Sequence, residues 1–179
     1  MAAPKAPVLG GEGAAKEVSL EEAVFAAEVK PHLVHEAVRA ELNAKRAGTT
    51  RAAQFTGGGH AFAKSPRGFE QKVNRKAAKA ALRSALASHA GGGTLALVDT
   101  GAFTEPSTKQ AKGVLQGANL AEPVLVVLNA EEETAWLSFR NLPKVVLVTP
   151  SELEVAAVVW ARSLVLSEAA LPIVQGRAQ

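Results

Sequence analysis

Cysteine is absent from all 179 positions of this chain, which removes disulfides, iron–sulfur ligation and every zinc site built on thiolates. That lack is compatible with a reducing compartment. Aromatic side chains are scarce, with six Phe and two Trp. A secretory h-region is missing from residues 1–11, where Met1-Ala2-Ala3-Pro4-Lys5-Ala6-Pro7 has no apolar run. The longest apolar tract, residues 155–174, is broken by Arg162, Glu168 and Pro172, so it is no membrane span. These absences lead to the expectation of a cytoplasmic protein of one ordinary domain, residues 1–179, long enough to bury a core.

Negative charge is the remaining scarcity, and it is local. Residues 39–83 hold eleven of the chain's twenty Lys and Arg but only two of its seventeen carboxylates, Glu41 and Glu70. That segment carries +9 and the remainder −6, so the net +3 conceals a strong separation. At its centre runs Gln54-Phe55-Thr56-Gly57-Gly58-Gly59-His60-Ala61-Phe62-Ala63-Lys64-Ser65-Pro66-Arg67. Cations spread over a long stretch, with few acids among them, suit a surface lying along phosphates. Gly57, Gly58 and Gly59 let backbone approach phosphate closely, and Phe55 and Phe62 are loop aromatics able to stack on bases. The contact candidates are Arg46, Arg51, Lys64, Arg67, Lys72, Arg75, Lys76, Lys79 and Arg83, with Arg favoured for bidentate phosphate pairing.

Hydrophobic patterning places this segment in a fold. Residues 5–9 and 16–20 read as two short strands, a hairpin around Gly10-Gly11-Glu12-Gly13. Pro31 opens a helix to about residue 46 with Leu33, Val34, Ala37, Val38 and Leu42 on its apolar face. Residues 47–73 have no sustained period and form a basic, glycine-rich loop. Asn74 caps a second helix to about residue 89, with Ala78, Ala81, Leu82, Ala85 and Leu86 inward. On it Arg75, Lys76, Lys79 and Arg83 share a face. Beyond Gly91-Gly92-Gly93, buried strands at residues 94–99, 124–128 and 145–148 alternate with helices at 107–117 and 131–139. Ser151 reads as the cap of a further helix, with Glu154 in the capping-box position, and residues 163–166 as a last strand. Near-continuous apolar strands separated by helices predict an α/β domain with a mostly parallel four-stranded sheet and the loop inserted between the first two long helices.

Other chemistries are weaker. Gly58-Gly59-His60-Ala61-Phe62-Ala63-Lys64-Ser65 is one residue from a phosphate-binding P-loop, but no apolar strand precedes it and Pro66-Arg67-Gly68 follows. His32, His35 and Glu36 share neighbouring helical turns without a second pair of metal ligands. Asp99 ends a strand where α/β enzymes place catalytic groups, yet no glycine fingerprint or nucleophile accompanies it. Glu131-Glu132-Glu133 is explained by a helix dipole. No metal, cofactor or small-molecule substrate is expected, and no enzyme. A nucleotide-binding α/β protein and a regulatory RNA- or protein-interaction module are the alternative readings.

Several ordered segments carry a resemblance. They are Val34-His35-Glu36-Ala37-Val38, Lys45-Arg46-Ala47-Gly48-Thr49, Gln54-Phe55-Thr56-Gly57-Gly58-Gly59, Asn74-Arg75-Lys76, Ala81-Leu82-Arg83-Ser84-Ala85-Leu86, Pro106-Ser107-Thr108-Lys109 and Leu137-Ser138-Phe139-Arg140-Asn141-Leu142-Pro143. In that order and spacing the chain resembles the bacterial large-subunit ribosomal protein of the L-four family over nearly its whole length. The resemblance implies a three-layer α/β/α domain bound to 23S rRNA beside neighbouring large-subunit proteins, and in some members regulation of their own operon. It also implies a long basic loop lining the peptide exit tunnel. Here Thr49 is followed at once by Thr50-Arg51-Ala52-Ala53-Gln54-Phe55, so the loop tip is missing. The family's Asn-x-Tyr-Asp signature is replaced by Glu154, Ala156 and Ala157, and contacts made there are not carried over.

Overall fold

The computed structural model describes residues 4–10, 16–47, 67–118 and 120–179. Its centre is a sheet of six strands, not four, in the order β2-β1-β3-β6-β4-β5. β1 (Lys5–Leu9) pairs antiparallel with β2 (Glu17–Ser19) and parallel with β3 (Leu95–Val98). The hairpin therefore joins the main sheet rather than standing apart, and this accounts for the two extra strands. β6 (Ser163–Ser167), β4 (Val124–Val127) and β5 (Val145–Val148) continue it in parallel register. β6, last in sequence, is central in space and buried at all five residues.

The strands sort their side chains with period two. Leu95, Leu97, Leu125, Val127, Leu164 and Leu166 face one core, while Val98, Val124, Val126 and Val165 face the other. On the first face lie α1 (Glu22–Phe25), α2 (Pro31–Ala44), α3 (Arg75–Gly91), α6 (Val155–Trp160) and α7 (Leu171–Ala178). On the second lie α4 (Thr108–Gly117) and α5 (Glu133–Phe139), where Phe103 and Phe139 meet at 5.4 Å between centroids. This is an α/β/α arrangement, the class the sequence predicts. The short helices α1 and α7 carry too few periodic positions for the pattern to reveal them.

Three local readings change. Leu42 is 58 % exposed, because it lies about 140° round the helix from Ala37, and Ala40 is buried instead. α6 starts at Val155, not after Ser151: the Ser151 hydroxyl bonds that of Thr149, and the amides of Val155 and Ala156 donate to the Glu41 carboxylate from α2 (3.1 and 2.7 Å). α5 starts at Glu133, because the Glu132 carboxylate accepts from the Thr100 hydroxyl (2.6 Å) and the Asn129 amide (2.7 Å), holding the preceding residues in a turn.

Candidate nucleic-acid interface

Positive charge gathers at one end of the α2–α3 pair. Residues 70–73 lie along the last turns of α2 and the first turns of α3, in a groove lined by Ala37, Ala40, Glu41, Ala44, Glu70, Gln71, Val73 and Ala78. The described arms of the basic segment, residues up to 47 and from 67 onward, therefore meet at this end.

α3 has two halves. From Ala81 to Ala87 it is buried apart from half-buried Arg83, while Arg75, Lys76 and Lys79 stand exposed on its first turns. Asn74 occupies the N-cap position but makes no side-chain capping bond, and the first turn holds no acid. Cations at a helix N-terminus oppose the macrodipole, each costing about 0.3–1 kcal/mol where an anion would gain it. The helix end and its side chains thus project positive potential in the same direction, an arrangement that an external anion relieves.

Carboxylates neutralise little of this charge. Of the nine described cations within residues 39–83, only Lys45 has an acid within 4.0 Å among the described residues; of the nine outside it, Lys5, Lys16, Lys30 and Lys144 do. Glu41 points at the α6 amides. Lys45 bonds Glu154 at 2.5 Å; that hydrogen bond, then the carboxylate's charge, raises the Lys45 pKa above 10.5. Arg39, Arg46, Arg67, Lys72, Arg75, Lys76, Lys79 and Arg83 are left without an acidic partner among the described residues.

The structure brings Arg46 and Arg67 together over one ring. Their guanidinium carbons lie 4.5 and 4.7 Å from the centroid of Phe69. Sequence reasoning passed over Phe69; the readable signal was an aromatic two residues from Arg67 inside the acid-poor segment. Of the residues singled out, Arg46, Arg67, Lys72, Arg75, Lys76, Lys79 and Arg83 sit on or beside this end. Arg51, Phe55, Gly57, Gly58, Gly59, Phe62 and Lys64 lie outside the described residues, as does the P-loop-like run.

The carboxyl ends of the strands are occupied by structure of their own. The Asp99 carboxylate accepts from the Gly101 amide at 2.9 Å, capping a 3-10 turn, and Glu132 braces the neighbouring loop as above. His32, His35 and Glu36 stand exposed on α2. Neither group assembles a nucleophile beside a base.

Residues 45–177 match the ribosomal protein L4/L1 family. Large ribosomal subunit protein uL4 of Rubrobacter xylanophilus is 36 % identical, over 88 % of this chain and 90 % of that protein. The uL4 of Agathobacter rectalis is 32 % identical over 89 % and 91 %. That of Saccharopolyspora erythraea is 44 % identical over 70 % of this chain, which spans 55 % of its length. The first of these alignments runs over 189 positions yet draws on 88 % of a 179-residue chain, so about thirty of its positions have no residue here.

Proposed function

This chain belongs to the ribosomal protein L4/L1 family, and on that premise we infer that it is a structural constituent of the large ribosomal subunit. It binds 23S rRNA, contacts neighbouring large-subunit proteins, and works on the ribosome in the cytoplasm. The role is architectural, not enzymatic. Among the described residues no helix is long and apolar enough to cross a membrane.

One observation carries the assignment of the RNA-facing end: seven cations on or beside one end of the α2–α3 pair have no acidic partner among the described residues. Arg46, Arg67, Lys72, Arg75, Lys76, Lys79 and Arg83 contact phosphates directly in this reading. Arg51, Lys64, Phe55, Phe62 and the glycines Gly57, Gly58 and Gly59 extend the contact along the segment between them. The whole chain, residues 1–179, acts as one α/β domain with residues 47–73 as its basic insertion. Because A-form RNA hides its major groove, discrimination comes from RNA shape and single-stranded features rather than groove reading. Positions that the Rubrobacter protein has and this chain lacks accord with a shortened insertion, so the tunnel-lining role of the family's loop tip is not assigned to it.

The test is a filter-binding titration of the full chain against 23S rRNA fragments and a length-matched random RNA, each at two salt concentrations. Selective, salt-sensitive binding to the rRNA fragments is expected. Equal, weak binding to both RNAs would reduce the basic end to a polyelectrolyte patch and remove the assignment.

A further inference from the structure

Phe69 is half-buried, yet it belongs to neither hydrophobic cluster of the core. What it touches is charge. With one guanidinium carbon 4.5 Å and the other 4.7 Å from its centroid, Arg46 and Arg67 are at most about 9.2 Å apart. Two cations held this close repel, and neither has a carboxylate within 4.0 Å among the described residues. Lys45, next to Arg46, is drawn off to Glu154. The ring's negative face offsets part of the repulsion but leaves the pair's positive charge uncompensated.

The geometry also limits which ligand chemistry fits. A guanidinium centred over a ring makes no ion pair there, and neither Arg46 nor Arg67 has one among the described residues. The N–H edges of such a guanidinium pair bidentately with phosphate oxygens. We propose that Arg46 and Arg67 grip a single phosphate group of the RNA backbone, and that Phe69 is the positioning residue that presets the pair. The proposal rests on the RNA-binding reading and deepens it: the grip falls where the basic segment leaves α2 and where it returns toward α3, so one phosphate fastens both arms.

The experiment measures affinity of the full chain for a 23S rRNA fragment across a salt series. Each neutralised phosphate contributes about 0.7–0.9 to the log–log salt slope. The Arg46→Ala/Arg67→Ala double variant is therefore expected to lose about one such increment. A loss of about 1.4–1.8, two independent phosphates, overturns the shared grip. Phe69→Ala is expected to bind about three- to tenfold more weakly at fixed salt. Phe69→Tyr should retain wild-type affinity, and Phe69→Leu, which keeps apolar bulk without the ring, should behave like the alanine variant. Wild-type affinity in Phe69→Leu overturns the positioning role and makes the ring mere packing. Thermal melts of each variant separate binding loss from unfolding; since Phe69 lies outside the core, its variants should melt with the wild type. Failure of the RNA-binding reading would look different, with the unsubstituted chain showing no preference for 23S over random RNA.

Discussion

Glu41 sits in the most basic stretch of the chain and yet neutralises little of it, because both its oxygens are turned to the helix-terminal amides of Val155 and Ala156. An anion at those amides satisfies two donors that α6 cannot bond internally and complements the helix dipole. Glu41→Ala should lower stability by about 1–2 kcal/mol, read by urea denaturation. A denaturation midpoint equal to wild type would mean that water caps α6 equally well. Lys45 responds to pH through its bond to Glu154. Its folded pKa is raised, so its small contribution is fully present below the unfolded value of 10.5 and is lost as pH climbs through the folded one. Melting temperatures taken from pH 9 upward should fall more steeply for wild type than for Lys45→Met. On the opposite face Phe139 is fully buried against Phe103. Phe139→Ala should cost about 3–5 kcal/mol, through lost burial and the cavity left behind. A denaturation shift under 1 kcal/mol would show that the α4–α5 layer collapses to fill the space.

Among the elements, α3 is where stability and the proposed binding can be separated most directly. Its C-terminal half packs on α1, α2, α6 and α7, while its N-terminal turns carry Arg75, Lys76 and Lys79 against the dipole. Replacing all three with Gln should leave the melting temperature unchanged or slightly higher. The same change should lower the salt slope of rRNA binding by up to about 2–3. Weaker binding accompanied by a fall in melting temperature would instead make these residues structural. How much of α3 was legible follows from its composition: alanines and leucines at helical spacing give its length and inward face. Its unsatisfied N-cap and the directions taken by nearby carboxylates depend on neighbours hundreds of atoms away in the chain. α6 makes the same point from the other side. Ser151 and Glu154 form a capping-box local start, but a partner from α2 moved the start three residues on.

For the whole molecule, a segment at +9 beside a remainder at −6 makes association dependent on ionic strength. With about six phosphates neutralised, doubling the salt should weaken rRNA binding by more than about tenfold. A slope near zero would mean that the cations face solvent rather than RNA. The cations of α2, of residues 67–72 and of α3 belong to the folded body, so rRNA binding should not require a longer insertion between them. Comparison with a variant carrying a longer insertion tests this: binding that depends wholly on the added residues would overturn it.

The order of apolar strands and helices, the segregation of charge and the absence of thiolates are properties of neighbouring residues, and the sequence alone determined from them an α/β class with a segregated basic segment. Seven described residues of the proposed interface were readable in this way, because uncompensated charge leaves its mark locally. Spatial order was decided only in three dimensions. β6 enters the middle of the sheet and β1–β2 extend its edge, because strand pairing follows the packing of side chains on both faces rather than chain order. Phe69 gained its meaning only when Arg46 and Arg67, twenty-one positions apart, came over one ring. Contacts between distant residues depend on the path of the chain, and no local pattern in the residues themselves records it.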